Sequence, residues 1–493
     1  MKQPARAICA TGARRRFVSG ALGFVLTLAC GLAQAETMSG ALARAYVASP
    51  ALNQQRAAVR GVDENVPKAE AGWRPTITAT GYVAPSYKYM RDAPPPRTPE
   101  TRNPDAVNDV GNLLVYGQKY RAIARGYGVA ATQTLFDGFK TLNSVRQAES
   151  QTFSAREALR GAEQDVLLAA ATAYMDVLRD TALLALRADN VRVLEEQVRQ
   201  TRSRATVGEA TATDMAQAQA SLAQARGDFF AARSNLQASS AAFRLAIGVE
   251  PKMLAPAKSV EALLPRHLAL AVAASQTEHP GIAAALHDVD AAALAVKVAE
   301  SALSPTATIT AAASRDLSVG GVGGAKSFNI GVVGQINVPL YQGGGEYSSI
   351  RQAKEQLGQA RLMADLQRDQ IRAQVVAAWG QGEAAKAQIL SGRATVEAAE
   401  VALKGVRGEA LVGQRTTFDI LTAQQTLLNA RAALLMAQRD RVVASYVVLA
   451  AMGRLSAATL GLPAAIYDPA MHFDQVKGKL IGVQIPDGRS VRT

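Results

Sequence analysis

The chain has 493 residues, a formal net charge of +13 and two cysteines. That length allows several domain-sized units. The charge is spread widely, with no dense basic run interleaved with aromatics, which argues against nucleic acid as a partner.

The first element in chain order is a leader. Lys2, Arg6, Arg14, Arg15 and Arg16 precede the apolar run "FVSGALGFVLTLACGL", and the small-residue triplet "AQA" ends at Ala35. A basic start, a short apolar centre and a small-residue site make a secretory signal, with cleavage expected between Ala35 and Glu36. Cys30 as a lipidated N-terminus is the rival reading, but "TLA" before it lacks the Leu usual three residues upstream. Cys9 and Cys30 both lie in the leader. The processed chain therefore excludes disulfides, thiol catalysis and Cys-based metal sites. The leader also carries five of the positive charges and no acid, so thirteen less those five leaves about +8. No later stretch approaches the roughly 20 apolar residues of a membrane helix, so a processed chain that crosses a membrane must do so as strands.

The remainder is written twice. "VGEATATDMAQAQASLAQAR" (Val207–Arg226) and "VGQRTTFDILTAQQTLLNAR" (Val412–Arg431) agree at 9 of 20 positions at an offset of 205. At the same offset "LFDGFKTLNSVRQAESQ" meets "LYQGGGEYSSIRQAKEQ", Tyr174 meets Trp379, and Gly248 meets Gly453. Upstream the offset is 230, with Pro50 on Pro280 and "PTIT" on "PTAT". The first copy thus holds 25 extra residues, within the Pro-rich polar stretch "APSYKYMRDAPPPRTPETRNPDAVND", which reads as an exposed loop.

Each copy begins with a helical stretch, about 38–70 and 268–300. Two strands follow. In "SFNIGVVGQINVPL", Phe328, Ile330, Val332, Gly334, Ile336 and Val338 share one face, with Asn329, Gly331, Gln335, Asn337 and Val333 on the other. "PTITATGYV" and "PTATITAAA" alternate Thr with apolar or small residues, and "RGYGVAATQTLF" is the least regular of the four. Such lengths suit spans of roughly 9–11 tilted residues. Aromatics are only 5% of the chain. Yet Tyr82, Tyr87, Tyr89, Tyr116, Tyr120, Tyr127, Phe136 and Phe139 gather around the first strand pair, as interfacial girdles would.

A helix of about 67 residues comes next in each copy, 140–206 and 345–411, roughly 100 Å long at 1.5 Å per residue. The two shorter helices of a copy add to nearly that length, so stacked end to end they could flank the long one. A seam of Val166, Ala170, Ala173, Val177, Thr181, Leu184, Ala188 and Val191 repeats at threes and fours. The rest is rich in Ala and Gln, which allows close side-by-side packing but no thick core. Gly208 and Gly413 stand where a helix stops. Thr211 and Thr416, each three residues before Asp214 or Asp419, read as shortened capping boxes that restart one. The punctuation marks the tip of a helical hairpin.

These features together resemble the TolC family of outer-membrane channels, and most closely the members serving type I secretion and drug efflux. The resemblance covers nearly all of the chain after the leader. It is carried by the tandem halves, the strand starts "GWRPT" and "LSPTAT", the strand ends "LFDGF" and "VPLYQGG", and the two "VGxxTxxD" tips. It implies a mixed α and β fold in which a membrane β-barrel continues into a long periplasmic α-helical barrel. It also implies a homotrimer, with four strands per chain closing a twelve-stranded barrel in outer-membrane lipid. Its partners would be a periplasmic adaptor (membrane fusion protein) and an inner-membrane ABC or RND pump. At the tips it implies adaptor contact through Val207, Gly208, Thr211, Val412, Gly413 and Thr416. It further implies a periplasmic gate in which Arg415 pairs with Asp214 and Asp419 joins an acidic ring. Ala410 departs from the Tyr of gate-linking members, and Thr422 from a second acid found in some.

The expected division is a signal peptide (1–35), a first repeat (36–250), an equatorial linker (251–267), a second repeat (268–454) and an equatorial or disordered C-terminal segment (455–493). The first repeat would carry an extracellular loop at about 85–118 and a tip near 207–214, and the second a tip near 412–419. His267, His279, His287 and His472 form no metal spacing, and "GGVGGAK" lacks a P-loop setting. No cofactor, metal or catalytic residue is expected. The rival function is a periplasmic coiled-coil scaffold without a pore.

Overall fold

The two halves fold into matching series of elements, with one more short helix before the strands in the first. The computed structural model describes residues 35–91, 117–317 and 326–485. Most of the expected leader, the bulk of the loop expected at about 85–118, nearly all of "GGVGGAK" and residues 486–493 lie outside the described residues. In the first half α1 (Met38–Ala48), α2 (Pro50–Asp63) and α3 (Asn65–Glu70) lead to β1 (Thr76–Arg91) and β2 (Gly117–Phe136). Helix α4 (Lys140–Thr206) then descends and α5 (Ala212–Ile247) returns. The second half runs α6 (Leu268–Glu278), α7 (Pro280–Glu300), β3 (Thr306–Leu317), β4 (Lys326–Asn337), α8 (Gly345–Leu411) and α9 (Thr417–Ala451). A short α10 (Ala470–Val476) follows.

Each opening helix, expected as one piece, is broken at the same place in both copies. Pro50 and Pro280 occupy the first turn of a new helix. The residue before a proline is pushed out of the α region, and Ser49 and His279 have ψ of 121° and 123°. Both then serve as caps. Ser49 Oγ accepts from the Leu52 amide at 3.4 Å, and His279 Nδ1 from the Gly281 amide at 3.0 Å. The long helices are unbroken at 67 residues each. Helices α1, α2, α3 and α5 all pack along α4, so the short helices flank the long one as their lengths suggest.

The strands form one antiparallel sheet in the order β1-β2-β3-β4. β1 pairs with β2 out to Arg91 and Gly117, so residues 85–91 and 117–118, read from sequence as loop, are strand. Cross-strand partners share a face. The register therefore collects Ile77, Val83, Ile123, Val129, Ile309, Ile330, Val332 and Ile336 on one side. The opposite side carries Thr78, Thr80, Thr132, Thr308, Thr310, Ser314, Gln335 and Asn337. On that polar side the hydroxyls of Thr132 and Thr310 lie 3.2 Å apart, and Tyr82 donates to Asp316 at 2.9 Å. The tyrosine crosses the intervening strand over Gly126, where a Cβ would sit 2.6 Å from its ring.

The main core lies halfway down. Tyr174 is 34 residues into α4, about 50 Å below its start at 1.5 Å per residue. Around it Leu42, Leu52, Phe243, Ile247, Tyr446 and Leu449 are buried. The Tyr174 hydroxyl lies 2.7 Å from the Glu36 carbonyl and 2.6 Å from the Ala255 carbonyl. Burial pushes this hydroxyl up to about 12, so it stays a donor. The Glu36 amide in turn donates to Met253 at 2.8 Å, which zips the start of the described chain to the segment joining the halves. The seam expected along α4 is core only at Ala170, Ala173 and Val177; Thr181 is exposed and the later positions are half-buried. Below the belt the wall is one layer of paired helices, too thin to bury a full seam. The segment after α9 has no periodicity but is well packed. Leu455, Ala457 and Leu462 join the core, and His472 Nδ1 meets Asp63 Oδ2 at 2.9 Å with both side chains buried.

Candidate functional site: helical tips and barrel

At each tip the backbone stops a helix by the same device. Gly208 and Gly413 both take φ of +80°, a region that other residues rarely enter. The Gly208 amide donates to Ala205 at 3.2 Å and the Glu209 amide to Arg204 at 2.9 Å; Gly413 and Gln414 repeat this on Ala410 and Glu409. That is the pair of bonds of a Schellman stop. Three residues on, Thr211 Oγ1 accepts from the Asp214 amide at 3.1 Å, while Asp214 Oδ2 accepts from the Thr211 amide at 2.9 Å. Thr416 and Asp419 do the same at 3.2 and 2.9 Å. Aspartate, one methylene shorter than the usual glutamate, still closes the box. The Thr211 and Thr416 amides hold both carboxyls below their ordinary value of 3.8. Val207 and Val412 stand out from the turns, each 71% exposed.

Each tip also closes with an ion pair, and the two pairs have opposite polarity. In the first, Arg204 lies 3.7 Å from Glu209. In the second the helix supplies the acid, and Arg415 Nε donates to Glu409 Oε2 at 2.8 Å. Glu409 occupies the position of Arg204 in the repeat. The expected contact of Arg415 with Asp214 is not among the ion pairs of the described residues; Arg415 turns back onto its own hairpin instead. The signal in the sequence is an acid, Glu409, six residues upstream of Arg415 across the helix stop. Further up, the cross-hairpin pairs Arg226–Glu195 (2.8 Å) and Arg431–Glu400 (2.6 Å) are repeat equivalents.

At the other end, each descending helix begins from a turn with two left-handed residues. In the second copy both are glycine, Gly343 and Gly344. In the first, Gly138 is followed by Phe139 at φ 65°, the only such non-glycine among the described residues. A side chain there costs about 1–2 kcal/mol. Phe139 keeps it in order to set its ring edge-on to Phe136, with centroids 5.4 Å apart, at the foot of the sheet. An aromatic pair at that level suits the boundary between lipid and water.

The family model described as outer membrane efflux protein matches residues 41–249 and again 272–454. The outer membrane efflux protein BepC of Brucella suis biovar 1 (strain 1330) is 42% identical over 469 residues, covering 95% of this chain and 96% of that one. The chain belongs to the outer membrane efflux protein family. Its two matched segments correspond to the duplication. A second relative in the family's range, the alkaline protease secretion protein AprF of Pseudomonas aeruginosa, is 26% identical over 351 residues, or 68% of this chain and 70% of that one. The fold is that of the Campylobacter jejuni CmeC outer membrane channel, with a TM-score of 0.71 at 14% identity over 90% of this chain and 89% of that one. The protein is thus an outer-membrane export channel that extends into the periplasm, and not an enzyme. Its sheet is the barrel portion and its long helices are the tunnel portion. No helix among the described residues is long and apolar enough to cross a membrane.

Proposed function

We propose that three copies of this efflux-family chain close into one channel that docks, through its tips, to a periplasmic adaptor and an inner-membrane ABC or RND pump. The observation that carries this is the open sheet. β1 and β4 each pair on one side only. Lipid tolerates no unpaired strand edge, so β4 of one copy must meet β1 of the next until the barrel closes. Three copies of four strands make twelve, the number the family resemblance implies. The repeats then give twelve helical columns beneath, with Val207, Gly208, Thr211, Val412, Gly413 and Thr416 facing the adaptor. A relative that matches the chain over nearly its full length is named for efflux. Export of small toxic molecules is therefore the reading placed first, with protein cargo second and the pump selecting between them.

Asp214, Arg415 and Asp419 are the proposed periplasmic gate. Arg415 is shared between two acids: Glu409 of its own tip, where it rests in the single chain, and Asp214 of a neighbouring tip in the closed assembly. An exposed pair adds little to folding but can still bias two near-equal states. Arg415→Ser is expected to raise single-channel conductance in planar bilayers and leave the melting temperature unchanged. Glu409→Gln frees Arg415 for Asp214 and is expected to lower conductance. Asp419→Ala is expected to weaken cation preference. If Arg415→Ser and Glu409→Gln shift conductance the same way, the local pair is all that matters and the gate assignment fails.

A further inference from the structure

We propose that the chain from Lys477 to Ile485 lies on the periplasmic leaflet of the outer membrane and ties the mid-height belt to it. The path of the chain brings it there. His472 is fixed to Asp63 at the end of α2. Lys477 Nζ lies 3.7 Å from Glu149, nine residues below the top of α4. The Lys479 carbonyl accepts from Arg74 Nη1 at 3.0 Å, and Arg74 stands two residues before β1 begins. From Asp63 to Trp73 the chain is almost wholly helical and rises roughly 15 Å at 1.5 Å per residue. The terminal segment climbs alongside it and arrives at the foot of the barrel.

What arrives is apolar and uncovered. Leu480, Ile481, Val483 and Ile485 are 74–99% exposed. They project from a small loop closed by Lys479 Nζ, which donates to the Gln484 carbonyl at 2.8 Å. Four large aliphatics within six residues at such exposure are costly in water. The bond from Arg74 to Lys479 sets this loop beside the exposed Trp73, just before β1, where an aromatic side chain suits a lipid boundary. Charge agrees with this position. Residues 477–485 hold Lys477 and Lys479 and no acid. A basic, aliphatic segment at a membrane edge suits an anionic phospholipid surface. The occupant is therefore lipid, in continuity with the apolar face of the sheet just above.

The test uses the full-length channel with Ile481→Cys carrying a nitroxide, reconstituted in vesicles of phosphatidylethanolamine and phosphatidylglycerol. The native cysteines both lie in the leader. Collisions with oxygen and with a water-soluble nickel chelate are read at position 481 and, as the aqueous control, at Glu209→Cys on the tip. Nickel collisions at 481 several-fold below those at 209, with oxygen collisions raised, are expected. Replacing phosphatidylglycerol with phosphatidylcholine should weaken the difference. Equal nickel access at the two positions would place the segment in water and overturn the proposal. Loss of access to both reagents at 481 would also overturn it, by showing that a neighbouring copy covers the segment.

Discussion

Gly453→Ala is expected to cost the fold far more than Gly248→Ala, although the two glycines are the same position of the repeat. Both take left-handed backbone, with φ of +82° and +91°. Either alanine therefore loses about 1–2 kcal/mol to backbone strain. Their surroundings differ. At Gly248 the nearest atom to a new Cβ is the Ala48 Cβ at 4.0 Å, an ordinary contact. At Gly453 it would sit 2.5 Å from the His279 Cα and 3.1 Å from the Glu278 carbonyl oxygen, both backbone that cannot rotate away. Forcing them apart adds about 1–3 kcal/mol. It also strains the two-bond grip of Arg454 on Glu278, at 2.6 Å each. The end of α9 is pressed there against the proline break between α6 and α7, so the damage falls on the mid-height belt. Heat dissociation of the purified oligomer reads the effect: a small shift for Gly248→Ala and a large one, or failed assembly, for Gly453→Ala. Equal shifts would mean that the close approach at His279 does not exist in the assembled protein.

Val332→Arg is expected to abolish outer-membrane assembly while Val333→Arg is tolerated. The two are adjacent at the middle of β4, opposite Ala311 and Thr310, and the pleat sends them to opposite faces. Val332 belongs to the aliphatic side with Ile330 and Ile336. Val333 belongs to the side of Thr310, Gln335 and Asn337. On the lipid face an arginine at mid-depth costs about 2–4 kcal/mol, whereas a lumen position can solvate it. Heat-modifiable oligomer in outer-membrane fractions is the readout. Loss only in Val333→Arg would reverse the faces of the sheet, and equal loss in both variants would contradict one lipid face and one lumen face.

Much of this fold is legible in the sequence because duplication writes it twice. Any pattern surviving in both copies, such as "PTIT" against "PTAT" at the first strands or the glycine–threonine–aspartate tip, is a property of the structure and not of one stretch. The alternation of Phe328, Ile330 and Val332 places their face correctly, since a strand has only two sides. The proline breaks are equally visible, since Pro50 and Pro280 both mark the repeat and force the residue before them out of the helix. The terminal segment was not legible: Leu455, Leu462 and His472 follow no period, because they fill gaps between helices set by residues hundreds of positions away. The tips show where local reading succeeds and stops. Thr211 with Asp214, and Thr416 with Asp419, lie three residues apart and cap as spacing demands. Arg415 had several acids within reach, and spacing alone does not choose between Glu409 on its own hairpin and Asp214 on another.

The proposed channel requires copies of this chain to join strand edges into a closed pore. Planar-bilayer recording of the detergent-extracted, heat-modifiable oligomer reads this without an intermediary. Discrete, long-lived conductance steps from an oligomer with the mass of three chains are expected. Recovery of the protein only as a soluble periplasmic species, or an oligomer that never conducts, would contradict it and favour a scaffold without a pore.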